Sequence, residues 1–212
     1  MSLIHRLKGL HLKTRLLHPV DEFWERRFGV NTLGFLPEVG DYEAPDFRAA
    51  YVPTHYRRII AGLRHVGLNA DDVVVDLGCG LGRAVYAASW LGARRSVGVE
   101  IDGPLVEQAR RSHGTSRLKE RDIEFVCAPA QAYPLDDVTL VFMFNPFGAG
   151  IMQGVVQQLE AGLEKKPRRL RIVYENPLQA EVLDACPRLR RSGDWPPGQH
   201  GSPHPMSFWE TA

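Results

Sequence analysis

Two carboxylates and three glycines carry the most specific chemistry in this sequence. Asp76 ends the apolar run Val73-Val74-Val75, and Gly78, Gly80 and Gly82 follow at alternate positions, with Cys79 and Leu81 between them. Glycine at such places lets the backbone turn sharply and approach a ligand with no Cβ in the way. A helix expected from Arg83 would turn its first amides toward this loop, which favours a negative or polar ligand group. Glu100 closes a second apolar run 24 positions after Asp76. A carboxylate at that distance can accept from both hydroxyls of a ribose. The spacing departs from the ordinary dinucleotide fingerprint, G-x-G-x-x-G, whose third glycine would fall where Arg83 stands.

Alternating strands and helices must position these residues. Apolar runs predict strands over Val73–Asp76, Ser96–Ile101, Ile123–Cys127, Thr139–Asn145 and Arg169–Tyr174. Helices are expected between them over about Arg83–Leu91, Pro104–Ser112 and Met152–Lys165, with another over Leu178–Ala185 and Asp102 as a cap before Pro104. The last segment is rich in Pro and Gly until Met206–Glu210, which reads as an edge strand. Short apolar strands joined by helices imply an α/β, doubly wound, mainly parallel sheet covered on both faces. Ahead of it lie a leucine-rich amphipathic stretch within the first 17 residues, then a short helix through Phe23, Trp24 and Phe28 that Asp21 could cap. A Pro/Gly-marked cover over Thr32–Pro53 and a helix over Thr54–Val66 complete this part. The expected organisation is a helical lid over residues 1–50 and a Rossmann-like domain over 51–212.

The segment D-x-G-x-G-x-G, with Glu100 beyond it, resembles motif I of the class I methyltransferases. That resemblance implies a seven-stranded-type sheet and S-adenosyl-L-methionine as methyl donor, leaving S-adenosyl-L-homocysteine as product. It places Asp76 near the amino end of the methionine moiety and passes the amides of Gly78, Cys79, Gly80 and Gly82 along the cofactor. Glu100 would take the ribose, and Ile101, the next residue, is carried with the same site. The acidic residue that the family usually places against the adenine amino group is missing; Pro129 stands there, and Gln131 is the candidate for that edge.

Asn145-Pro146-Phe147 resembles a shortened (D/N)-P-P-(Y/F) motif of amino-directed methyltransferases, so Asn145 and Phe147 are candidates to meet the acceptor. The same tripeptide could simply turn the chain after a strand. Tyr51-Val52-Pro53-Thr54 matches an element that folds over the methionine end in related bacterial enzymes and in non-SET histone lysine methyltransferases, which makes Tyr51 and Thr54 candidates too. Tyr174–Pro177 is a second rim of the pocket, and His200 or His204 could act as a base.

Net charge is +1, from 26 basic and 25 acidic residues, without the basic excess expected of a protein that grips long nucleic acid. Three widely spaced cysteines argue for reduced thiols and against a zinc site. No signal peptide or membrane-length apolar run is read, so a cytoplasmic location is expected. The function expected is methyl transfer to an N or O nucleophile, on a small molecule. A protein or RNA acceptor, or a non-catalytic partner module, is the alternative.

Overall fold

The computed structural model describes residues 19–33 and 53–212. The leucine-rich stretch, Tyr51 and all of the Thr32–Pro53 cover except Thr32, Leu33 and Pro53 lie outside them. The chain runs α1 (Pro19–Phe28), α2 (Tyr56–His65), β1 (Val73–Leu77), α3 (Arg83–Trp90), β2 (Arg95–Glu100), α4 (Gly103–Thr115), β3 (Ile123–Cys127) and β4 (Leu140–Phe144). It continues with α5 (Ala149–Lys165), β5 (Arg171–Glu175), α6 (Ala180–Asp184), β6 (Leu189–Trp195) and β7 (Met206–Thr211). Seven strands form one sheet in the order β3-β2-β1-β4-β5-β7-β6. The first five strands pair in parallel, and β7 runs antiparallel between β5 and β6. This is the doubly wound α/β fold that the alternation of elements implies.

Strand burial explains the order. Every residue of β1, β5 and most of β4 is buried, as befits central parallel strands covered on both faces. Side chains alternate between the faces. Val75, Leu77, Val141, Met143, Ile172 and Tyr174 pack under α5 and α6, with Met152, Leu159 and Leu183. Val74, Leu140, Phe142 and Val173 pack under α2, α3 and α4, with Ile59, Leu63, Val85 and Val106. Helix α1 joins this second face: Phe28 is 0% exposed, with its ring centroid 5.4 Å from that of Tyr56.

The C-terminal strands differ from expectation. Met206–Thr211 is interior, hydrogen-bonded on both sides, and the edge belongs to β6. The strand β6 was hidden in its own composition. Of Leu-Arg-Arg-Ser-Gly-Asp-Trp only Leu189 is buried, and a register irregularity falls between Arg191 and Gly193. An edge strand whose Arg190, Arg191, Ser192 and Asp194 are all exposed offers no apolar run to read.

Capping also differs at one end. Asp102 caps α4 as expected, its Oδ1 accepting from Leu105 N at 3.0 Å. Asp21 instead lies in the first turn of α1 and caps another helix, accepting from Tyr56 N at 2.9 Å. His55 stands at the cap position of α2 and its side chain makes no capping bond.

Asp21 is one arm of a buried charged cluster around Arg83, the first residue of α3. The Arg83 guanidinium donates to Asp21 Oδ2 at 3.0 Å, to Thr32 Oγ1 at 2.8 Å and to the Thr54 carbonyl at 2.8 Å. It faces Glu25 Oε1 at 3.6 Å and lies over the Tyr56 ring, 4.9 Å from its centroid. Thr32 donates from its hydroxyl and its amide to the two oxygens of Glu25. Burial pushes the Glu25 carboxyl above its ordinary value. Burial pushes Asp21 the same way, but its contacts with His55, Arg83 and the Tyr56 amide bring it below. Replacing Arg83 with Leu strands two buried carboxyls, so the Arg83→Leu protein should lose about 3–5 kcal/mol of unfolding free energy in urea titration.

Candidate active site

The carboxyl ends of β1, β2, β4 and β5 converge on one edge of the sheet, and the glycine loop leads from β1 into α3. Gly78, Gly80 and Gly82 all have positive φ, at 78°, 53° and 87°. A Cβ at Gly78 would collide with Pro146, and one at Gly82 would stand 2.5 Å from the Phe125 ring. The loop is therefore left-handed three times and tightly seated, which only glycine allows. Its first amides are tied to β2: Gly78 N and Cys79 N donate to the Val99 carbonyl at 2.8 and 3.1 Å.

Glu100 completes the junction. Its Oε2 accepts from Gly80 N at 3.0 Å, and its Oε1 accepts from Ile101 N at 2.8 Å and Asp102 N at 3.0 Å. Two carboxylate oxygens offer about four lone-pair directions, so three amide donors leave acceptor capacity toward the cleft. Ile101 beside it keeps its apolar side chain 39% exposed.

Asp76 lies one residue before the end of β1, 5% exposed, with no ion-pair or hydrogen-bond partner for its carboxyl among the described residues. Burial, aided by the nearby Glu100 charge, pushes it up to about 8. Cys79 lies between the two acids. Burial first, then the Asp76 and Glu100 charges, raise its thiol well above the ordinary range. It is an inert thiol there, and its backbone is engaged within the loop, the amide donating to the Val99 carbonyl and the carbonyl accepting from Gly82 N at 2.8 Å.

The other candidates divide. Asn145 follows β4 with a positive φ of 35°; its amide donates to the Glu175 carbonyl at 3.2 Å, and the Tyr174 hydroxyl donates to its Oδ1 at 3.5 Å. It therefore makes the turn and stands at the edge. Phe147 does not stand there: it is 4% exposed and packs in the core under α5 with Met143 and Met152. The aromatic at the rim is Phe144, half-buried, on the same face of β4 as Phe142. Strand alternation carried the signal for this, because positions 142 and 144 share a face and the residue after Pro146 has left the strand. Gln131 sits in a short 3-10 turn with its Cβ against Gly154 of α5. Thr54 brings its carbonyl to Arg83. Tyr51 is outside the described residues.

The cluster behind the Tyr174–Pro177 rim was only partly legible. Glu175 is 1% exposed, accepts from the Ser202 hydroxyl at 2.5 Å and faces Arg58 Nε at 3.7 Å. Arg58 also donates to the carbonyls of Gln199 and His204, binding the β6–β7 connection to α2. Burial raises Glu175 despite its contacts with Ser202 and Arg58. Asn176, like Asn145, has positive φ, at 50°.

Residues 74–165 match a protein family described as a methyltransferase domain. This stretch, somewhat under half of the chain, is a methyltransferase domain. Its boundaries run from β1 through α5 and so enclose the glycine loop, Glu100 and Asn145. The chain is 29% identical over 117 residues to a protein-lysine N-methyltransferase of Saccharolobus islandicus, across 55% of this chain and 68% of that one. It is 32% identical over 98 residues to an uncharacterized protein of Methanocaldococcus jannaschii, across 45% of this chain and 41% of that protein. The match thus spans about two fifths of the archaeal protein's length. Among solved structures, an RNA methyltransferase of Salinibacter ruber in complex with S-adenosyl-L-homocysteine superposes with a TM-score of 0.53 at 23% identity, over 76% of this chain and 94% of that one. That last likeness is one of fold.

The raised carboxyl in the methyltransferase domain has a consequence for stability. Asp76 holds its proton in the folded state up to about pH 8, while the unfolded chain releases it near the ordinary value of 3.8. Between these values the folded state binds more protons, so its stability falls as pH rises. Thermal unfolding of the ligand-free protein between pH 5 and pH 8 should show this downward slope, and Asp76→Asn should flatten it.

Proposed function

We propose that the chain is an S-adenosyl-L-methionine-dependent methyltransferase whose acceptor is an amine nitrogen. The carrying observation is the glycine loop, left-handed at all three glycines and joined through Gly80 N to Glu100. Such a cradle has no room for side chains and ends beside a carboxylate that retains acceptor capacity, which fits an adenosine ribose. When bound, the donor supplies a methyl group on a positively charged sulfur, already activated for displacement. Glu100 holds the ribose hydroxyls, Ile101 offers an apolar surface to the base, and the glycine loop, its own amides bonded to Val99, Cys79 and Glu100, flanks the chain between them. Asp76 has no partner for its carboxyl among the described residues and suits the ammonium group of the methionine moiety. The charged ammonium would favour the ionised carboxyl, so donor binding would release a proton at neutral pH.

Asn145 and Phe144, at the end of β4, form the wall against which the acceptor is aligned for in-line displacement. Residues 1–50 are proposed as a cover and residues 51–212 as the catalytic unit, with Tyr51 and Thr54 at their junction. The near-neutral charge favours a small-molecule acceptor. The relative named a protein-lysine N-methyltransferase favours a protein lysine, and an amine is the acceptor chemistry that satisfies both.

Calorimetric titration with S-adenosyl-L-methionine tests the reading directly: heat that saturates at micromolar ligand is expected, and none at millimolar ligand would end it. In the same assay Glu100→Ala should weaken binding by about 1–3 kcal/mol, the loss of a charge-assisted pair.

A further inference from the structure

Both histidines of the β6–β7 connection could serve as bases by composition, and the tertiary structure separates them. His200 turns away. Its ring centroid lies 4.6 Å from that of Trp195, and it occupies a left-handed backbone position at φ 52°. His204 instead lies against Phe144, ring centroids 5.4 Å apart, at the residue that leads into Asn145. Its backbone is fixed at both ends, the amide donating to Ser202 Oγ at 3.2 Å and the carbonyl accepting from Arg58 at 2.9 Å. Ser202 and Arg58 are themselves held by Glu175 at the end of β5. A buried cluster thus carries one half-buried imidazole to the sheet's carboxyl edge and holds it there.

We propose that His204 is the proton acceptor for the nucleophile of this methyltransferase domain, and that the nucleophile is an aliphatic amine that arrives protonated. The proposal rests on the reading of the domain as an S-adenosyl-L-methionine-dependent enzyme. An ammonium has no lone pair, so it must lose a proton before it can attack. The imidazole takes that proton and becomes imidazolium. The freed nitrogen lone pair then forms the N–C bond as the C–S bond breaks and the sulfonium becomes a neutral thioether. The methylated amine leaves protonated, and the imidazolium returns its proton to water.

The surroundings suit the role. Burial and the Arg58 charge lower the basicity of His204, so the ring is neutral and able to accept at neutral pH. The charged and titratable groups of the packed elements are Arg58 and His55 from the α2 segment, Glu175 from β5 and His200 from the connection itself. Phe144 beside it offers a ring face to the approaching cation.

The test uses butylamine as probe, with S-adenosyl-L-methionine carrying a tritiated methyl group, and the isosteric butanol as control. The wild type should methylate butylamine and not butanol. Its kcat/KM should rise with pH to a plateau whose midpoint lies below the ordinary histidine value of about 6.5. His204→Asn should lower kcat at pH 7 by about 100-fold or more, with activity climbing steadily toward alkaline pH. Donor affinity by calorimetry should stay within about twofold of the wild type, and His200→Asn should behave as wild type. Independently of turnover, NMR of the cofactor-free protein should show the His204 imidazole titrating below the usual range, as His113 and His200 also do, and its resonance alone should be absent in His204→Asn. If that variant does not fold, the wild-type pH profile and the amine–alcohol comparison still decide. Absence of butylamine turnover in a protein that binds the donor, equal turnover of butanol, or an unchanged pH profile in His204→Asn would each overturn the proposal. Failure to bind the donor at all would instead strike the reading on which it rests.

Discussion

A single buried guanidinium ties the glycine loop's helix to the segments that precede the first strand. Arg83 begins α3, directly after Gly82, and its side chain runs into a space closed by Asp21, Glu25, Thr32, Thr54 and Tyr56. Ions buried without partners are expensive, and here two carboxylates and a carbonyl share one cation with its planar set of donors. The interaction ties α1 and the segment before α2 to the helix whose N-terminus faces the cleft. Removal of any arm would leave a charge in a space that water does not reach. The position that excludes the dinucleotide fingerprint is thus the position that joins the N-terminal region to the site.

A second buried ion pair performs the corresponding task at the other end of the edge. Arg58 and Glu175 bind α2 to β5, and through Ser202 and two carbonyls they hold the β6–β7 connection over β4. A third, Asp72 with Arg171, lies at the opposite end of the strands and joins the start of β1 to β5. Charged clusters at both ends of an apolar sheet fix the rotation of the helices against it, because each arm must reach its partner without solvent to compensate. Between these fixed points lie polar groups with capacity to spare. Among the described residues the Asp76 carboxyl has no partner, Glu100 has spare acceptor capacity, and the half-buried His204 ring lies against Phe144. Acidic acceptors and an imidazole gathered at the carboxyl edge of a packed sheet suit a polar ligand.

Local chemistry made much of this legible. Strong apolar runs such as Val73–Val75 and Leu140–Phe144 read as buried strands because both faces of the sheet are covered, and no other local signal competes. The glycine loop was legible because positive φ and close packing admit no other residue. Asp102 before Pro104 was legible as a cap for the same reason of local chemistry. The strand β6 was not, since its middle residues are mostly charged and exposed at the sheet edge and leave no apolar run. Asp21 was read as the cap of its own helix, whereas the amide it serves, Tyr56, lies 35 residues away.

The sequence alone determined the doubly wound sheet, the loop from Asp76 to Arg83 and the acid at Glu100, because each rests on periodicity or backbone geometry within a short stretch. Tertiary structure decided what depends on distant segments meeting. It made Met206–Thr211 an interior strand by pairing both its sides. It turned Phe147 into the core and left Phe144 at the rim, and it distinguished His204 from His200 by the ring each one touches. None of these choices is encoded locally, since a side chain's partner across a folded sheet is set by packing and not by its neighbours in the chain.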